Sequence, residues 1–365
     1  MKKALNPYEV GLKVGFEIHQ QLATKNKLFC RCKCSEVQDY EDEFVRRLRP
    51  TQSELGDYDV AALFEFRKGR LVKYLTSKGT SCLVEADEEP PHALNDEAFD
   101  TALIIALALK SNIVDEVHVM RKIVIDGSNT TGFQRTMLIA TGGTIEVDSK
   151  RVKIESISLE EDAAKLISND GAARTFGLDR LGIPLIEVAL EPVTGIPKEI
   201  MHIALTLGRL MRVSRRVSRG IGTIRQDVNI SITGGGTIEV KGVQKLDQLV
   251  NVIEFEMMRQ NGLFLITKEL ANREIKTDNI GDLTLDITDR FKNSSCKVIN
   301  KALENNGIVM VVGLEGFAGM LLYEPYPGIR LGREFGELVR FSGLGGVFHS
   351  DELPAHGIGD SDVGA

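Results

Sequence analysis

Polar and apolar positions alternate through Lys13–Gln21, where Val14, Phe16 and Ile18 share one phase and Glu17, His19 and Gln21 the other. A two-residue period is that of a strand whose side chains point to opposite faces. The same pattern predicts strands over Val117–Ile125, Thr144–Val147, Val152–Leu159, Pro184–Leu190, Thr223–Thr233 and Thr237–Lys241. The last two flank Gly234–Gly236, whose positive φ values suit a tight reversal. The segments "TGGTIEV" at 141–147 and "GGGTIEV" at 234–240 read as two hairpins with similar turn chemistry. Helical spacing appears at 95–112, 197–216 and 243–262. Asn95 is placed to cap the first, Pro197 opens the second, and Gly262 is expected to end the third. Strands and helices mix without a strict βαβα rhythm, so the fold class expected is α+β.

A change of texture comes near residue 290: from Gly313 onward glycine is dense while apolar residues remain plentiful, which describes a compact module and not a flexible linker. The chain has 365 residues, enough for two domains. It ends at "DSDVGA" with no capped helix or paired strand, as though cut inside its second domain. No apolar run reaches the roughly 20 residues of a membrane span, and the N-terminus lacks a secretory pattern, so a cytoplasmic location and no membrane partner are expected. A net charge of −7 argues against a general nucleic-acid coat protein, though not against a local basic patch. Arg212, Arg215, Arg216 and Arg219 have such a spacing, or else merely compensate a helix C-terminus.

Charged residues recur where apolar ones are expected. Glu160, Glu161 and Asp162 are consecutive at what reads as a strand-to-helix corner. Glu187 sits in the apolar run "IPLIEVAL", and Arg225, Asp227 and Asn229 share one face of the strand around 224–232. A buried charge is costly unless paired or bound to metal, so Glu187 belongs either to a salt bridge with Arg174 or Arg180 or to a cation site. Carboxylates from separate strands, with His19 among them, suit magnesium and hence phosphoryl transfer. No P-loop is present. The candidate anion cradle is Met120–Arg135, with Arg121, Lys122, Arg135 and the hydroxyl-rich turn at Ser128. Cys30, Cys32 and Cys34 alternate, and with Cys82 they form either a zinc set or free thiols.

The stretches "GFEIHQQL", "CLVEADEEPPH", "RKIVIDGSNTTGFQRTMLIATGG", "SLEEDAAK", "LDRLGIPLIEVALEP" and "IRQDVNISI" fall in order over residues 10–245. Together they resemble the B/E subunit family of glutamyl-tRNA(Gln) amidotransferases, in the form found in archaea. The segments "GFAGMLLYEPYPGIRLGREF" and "GLGGVFHSDELPAHGI" resemble the insertion domain of bacterial-type aspartyl-tRNA synthetases. The resemblance implies a mixed-sheet cradle domain over 1–288 and a partial insertion domain over 289–365, without the helical and tail domains of longer members. It implies ATP- and Mg2+-dependent phosphorylation of the γ-carboxyl of glutamyl-tRNA(Gln), then amidation with ammonia channelled from an asparaginase-like D subunit. Position by position, His19, Glu161 and Glu187 match magnesium ligands, and Glu17 and Asp227 match acids lining the same site. Lys122 matches a basic residue facing the phosphate and ammonia path. Arg121, Ser128, Arg225 and Asn229 are the nucleotide-binding candidates. A non-catalytic tRNA-binding scaffold and a metal-dependent hydrolase are the competing readings.

Overall fold

The computed structural model describes residues 5–50, 52, 55–170, 173–275 and 284–363. It divides into two compact units, one of Lys13–Ile230 with Ile238–Val252, the other of Met1–Leu12, Ser231–Thr237 and Ile253–Ala365. In chain order the first carries β1 (Lys13–Gln21), β2 (Asp42–Arg47), α1 (Val60–Arg67), β3 (Leu71–Thr76), α2 (Asp96–Ala108), β4 (Asn112–Ile113) and β5 (Met120–Ile123). Then come β6 (Phe133–Thr141), β7 (Thr144–Val147), β8 (Lys150–Glu161), β9 (Lys165–Asn169), β10 (Ala173–Gly177), β11 (Pro184–Val193) and α3 (Pro197–Val213). The hairpin β12 (Ile224–Ser231) and β13 (Ile238–Val243) follows, then the long helix α4 (Leu246–Asn272), whose residues from Ile253 onward belong to the other unit.

Among the described residues, nine strands form one sheet in the order β13-β12-β1-β11-β8-β6-β4, with β5 added on β6 and β7 on β8. A second sheet, β2-β3-β10-β9, contains the parallel pair β3–β10 within otherwise antiparallel neighbours. The fold is therefore α+β with mixed sheets. Phe16 and Ile18 are fully buried, as are Leu159, Ile186 and Val188, so the central strands have apolar residues on one face and the unusual polar ones on the other. Asn95 caps α2 by accepting from Ala98 N at 3.0 Å.

Several sequence expectations change. Helix α4 runs ten residues past Gly262, whose added Cβ would lie 2.4 Å from Pro325 Cα: the glycine admits a close backbone approach and does not end the helix. Helix α3 stops at Val213 and Arg215 has φ +59°, so Arg215, Arg216 and Arg219 lie beyond it and form no helical stripe, while Arg212 sits in the last turn where a cation complements the dipole. The "TGG" segment is no hairpin: β7 pairs with β8 through a turn at Asp148 and Ser149, whose φ values of 48° and 66° suit a type I′ reversal. Only the second segment, between β12 and β13, is a hairpin across glycines, with Gly234 at φ +79°. The corner after Glu161 leads to a strand, β9, and not to a helix.

The second unit holds a short sheet of β14 (Thr284–Asp286) and β15 (Met310–Val312), with α5 (Lys297–Glu304), α6 (Leu331–Phe341) and α7 (Asp360–Val363). Phe291, Cys296, Ile299 and Ile358 make one small core there, and Ile266, Met320 and Leu331 another. The specific arrangement of an aspartyl-synthetase insertion domain remains an expectation of the resemblance. No helix among the described residues is long and apolar enough to cross a membrane.

Candidate active site

Register brings the polar positions together. His19 on β1 lies directly opposite Glu187 on β11, and Glu187 lies opposite Ser158 on β8. His19 Nε2 meets Glu187 Oε2 at 2.9 Å. His19, Glu160 and Glu187 offer ligand atoms all within 4.8 Å of one another, as do Glu17, His19 and Asp227. Lys122 on the outer strand β5 reaches in, with Nζ 3.8 Å from Glu160 Oε1 and 3.9 Å from Glu187 Oε2. On the other flank Lys241 of β13 lies 3.6 Å from Asp227 Oδ2. Arg174 and Arg180 are bonded elsewhere, to Asp126 O and to the Ala163 and Ala164 carbonyls, so neither neutralises Glu187.

The structure puts Glu160, not Glu161, beside His19 and Glu187. Adjacent residues on β8 point to opposite faces. Glu160 takes hydrogen bonds from Thr136 Oγ1 at 2.8 Å and Gln134 Nε2 at 3.2 Å, which aim it at the cluster. Glu161 turns the other way and is held by both oxygens on Arg135 Nη1 at 3.1 Å. The alternation within "SLEED" was the signal, and only the cross-strand register tells which of the two acids faces His19.

Electrostatics mark the cluster as strained. Burial and the charge of Glu187 raise the Glu160 pKa above its usual range. Burial and Glu187 do the same to Glu17. Burial alone would raise Glu187 too, but its hydrogen bond with His19, the imidazolium charge and Lys122 hold it down. His19 is resisted by burial yet raised overall by Glu187, Glu160 and Asp227. Two lysines, Lys122 and Lys241, serve Glu17, Glu160, Glu187, Asp227 and Glu239, so the cluster is short of positive charge. A donor set of two carboxylates and an imidazole with excess negative charge fits a hard divalent cation.

The other candidates lie apart or nearby with different work. Asp227 accepts from Gly242 N at 2.7 Å. Asn229 stands two residues along the same strand face, beside Gly15. Arg225 donates to Asp162 at 3.0 Å, and Asp162 in turn accepts from Gln21 at 2.7 Å, so Arg225 is tied into a structural network at the strand end. Arg121 stacks over Phe133 with 5.6 Å to the ring centroid, and Ser128 bonds to Asp126 at 2.7 Å within its loop. Met120–Arg135 is thus two paired strands and a turn, with Arg121 opposite Arg135.

The cysteine set is also rearranged. Cys30, Cys32, Cys82 and Glu85 bring their donor atoms within 4.8 Å of one another. Cys34 is not among them: its Sγ lies 3.5 Å from Thr24 Oγ1. Residues 28–31 bend instead of extending, so three alternate positions do not share a direction. Glu85 accepts from Cys30 Sγ and from Cys82 N, each at 2.8 Å. The Cys82-x-x-Glu85 spacing, two residues between ligands, was the overlooked signal. Burial and Glu85 push the Cys82 thiol up to about 11, and the hydrogen bond with Cys32, with burial, raises the Cys30 thiol.

The sequence matches the GatB/GatE catalytic domain family over residues 12–297. It is 51% identical over 356 residues to the E subunit of glutamyl-tRNA(Gln) amidotransferase from Aeropyrum pernix, covering 97% of this chain and 56% of that protein. It is 50% identical to the corresponding E subunit of Saccharolobus solfataricus, over 98% of this chain and 57% of the relative. The E subunit of Sulfurisphaera tokodaii is 48% identical over 97% of this chain and 57% of its own length. The chain spans just over half the length of these curated relatives. With the polar floor of β1, β8 and β11 lying inside the matched region, the chain belongs to the GatB/GatE catalytic domain family.

Proposed function

We propose that this chain is the catalytic part of a tRNA-dependent amidotransferase subunit. It activates the γ-carboxyl of glutamate on tRNA(Gln) with ATP and delivers it to ammonia. The observation that carries this reading is the meeting of His19, Glu160 and Glu187 within 4.8 Å, with Lys122 Nζ beside both acids. His19, Glu160 and Glu187 would hold Mg2+, which lowers the repulsion between a carboxylate and a nucleotide phosphate.

This chain's own residues do the rest. A carboxylate is a poor electrophile, and transfer of the γ-phosphoryl group to it creates a leaving group. Two anions must first approach, and Lys122, with its side chain about half exposed at the cluster, supplies positive charge to the travelling phosphoryl oxygens. Thr136 and Gln134 hold Glu160 in place, and His19 holds Glu187, so the donors are preorganised. Glu17 and Asp227 line the approach and are positioned to take a proton from the incoming amine as it displaces phosphate. The resemblance assigns ammonia supply to an asparaginase-like D subunit and the substrate to glutamyl-tRNA(Gln). A cytoplasmic location goes with both.

The cysteine cluster forms a second, structural proposal: Cys30, Cys32, Cys82 and Glu85 hold Zn2+, with Glu85 in the place expected for Cys34. Three thiols and a carboxylate fit its tetrahedral preference.

The decisive assay combines the full-length protein, the asparaginase-like D subunit, ATP, Mg2+ and glutamyl-tRNA(Gln) and measures glutaminyl-tRNA. Alanine at His19, Glu160 or Glu187 should lower its formation at least a hundredfold. Normal amidation by those variants would sink the assignment. Multi-turnover phosphate release without any tRNA would favour a hydrolase, and unaltered Mg2+ and nucleotide binding in the same variants would favour a scaffold.

A further inference from the structure

The second unit contains a cavity of about 970 Å3 that no step above uses, walled by the start of α5, by α6 and by the stretch from Gly346 to Gly357. Its size lies at the upper end of the range for small-molecule sites. The wall is held in place. A Cβ added to Gly332 of α6 would lie 2.3 Å from His349 Nε2, so the imidazole rests directly on the helix backbone. Asp351 anchors the turn behind that ring by accepting from Gly319 N at 2.9 Å and from Leu321 N at 3.2 Å.

Two polar groups of this wall are incompletely matched. The His349 side chain is 9% exposed, and its Nδ1 is buried with no hydrogen bond among the described residues. Its Nε2 faces Glu352 Oε2 at 3.5 Å, and His356 Nε2 lies 3.8 Å from the same oxygen. Both separations exceed an ordinary hydrogen bond, so this half-buried carboxylate keeps its capacity to accept. A buried polar group kept unpaired beside a cavity points to a ligand that completes it. The cations around the cavity divide in a similar way. Arg333 is engaged by Glu337 at 3.4 Å, whereas Lys297, Arg330 and Arg340 are exposed and have no acidic partner among the described residues.

We propose that this cavity binds a free α-amino acid with an acidic side chain. An ammonium group has donors and no acceptor. It complements the Glu352 carboxylate and, with Nε2–H turned to Glu352, the lone pair on His349 Nδ1. Arg330 takes the α-carboxylate, for which a planar guanidinium is the best-matched partner. The positive charge left at Lys297 and Arg340 favours a second carboxylate on the ligand. A purely anionic ligand would leave Glu352 and Nδ1 unmatched, and a cation would leave the arginines so. The inference stands apart from the proposed function, since no residue of the acid cluster lines this cavity.

The test is calorimetric titration of this chain with glutamate, aspartate, alanine and 2-oxoglutarate, which keeps both carboxylates and lacks the ammonium. Glutamate or aspartate should bind at least tenfold more tightly than either alanine or 2-oxoglutarate, and the tighter of the two identifies the side-chain length the cavity takes. Arg330→Ala should weaken that binding at least tenfold. Glu352→Gln should erase the preference over 2-oxoglutarate, and His349→Phe should reduce it. Because His349 is buried, each variant is checked for an unchanged circular dichroism spectrum, and the exposed Arg330 carries the test if His349→Phe unfolds. Absence of binding at millimolar glutamate and aspartate, equal affinity of the intact chain for 2-oxoglutarate, or unchanged affinity in Arg330→Ala overturns the proposal. His19→Ala should leave amino-acid binding intact, so failure of the metal-site reading is told apart from failure of this one.

Discussion

At the scale of single residues, Glu160 and Glu161 separate two roles that look alike in the sequence. Glu160→Gln should weaken Mn2+ binding at least tenfold in an isothermal titration, whereas Glu161→Gln should leave it within twofold. Glu161 instead serves the fold: it is nearly buried against Arg135, and Glu161→Ala strands that guanidinium. A loss of about 3 kcal/mol is expected, readable as a fall in denaturation midpoint. The pH dependence follows from His19. Its pKa is raised above the ordinary 6.5, and a protonated imidazole cannot ligate. Mn2+ affinity should therefore be low below that raised value and climb as pH passes it. His19→Gln should flatten the climb. The sign for stability is opposite: the His19–Glu187 pair stabilises the metal-free fold below pH 6.5 and fades as pH rises through the raised value.

At the scale of elements, the strands that carry the site were the most legible part of the chain. Strand β1 has the bounds its alternation predicts, because one face is packed and the other polar. Strands β2, β3, β9 and β10 went unread: they form the second sheet, where pairing between distant segments, and not local pattern, makes the strand. Helix α2 was readable from its cap, and Asn95→Ala should cost about 1 kcal/mol in chemical denaturation. Helix α4 was misjudged at Gly262, since a glycine that admits Pro325 looks in sequence like one that ends a helix. Gly262→Val should disturb the second unit by forcing that contact apart, with a denaturation midpoint lower than that of Gly262→Ser.

At the scale of the whole molecule, the two units have different resources. The larger one has a wide sheet whose central strands are mostly buried, while among the described residues the other has two small apolar clusters. The cysteine cluster ties Cys30 and Cys32 to Cys82 and Glu85, across about fifty residues of chain, so its metal would stabilise the larger unit as a unit. Free Zn2+ at a hundred times its dissociation constant should add about 2.7 kcal/mol. Glu85→Ala should abolish that gain, and Cys34→Ser should not. Without metal, thiols raised from 9.0 to about 11 at Cys82 favour folding below pH 9, and that contribution should be lost as pH climbs towards 11.

The residue order alone determined the α+β class, the polar floor of β1 and the family, because these reside in local periodicity and in motifs of neighbouring residues. The tertiary structure decided which of two adjacent glutamates meets His19, which four donors gather at the cysteines, and that Arg225 serves a network and not the cluster. Those choices depend on strand register and chain reversal. Register is set by packing between segments far apart in the chain, as where β1 meets β11, and a one-residue slip there would send His19 to the other face.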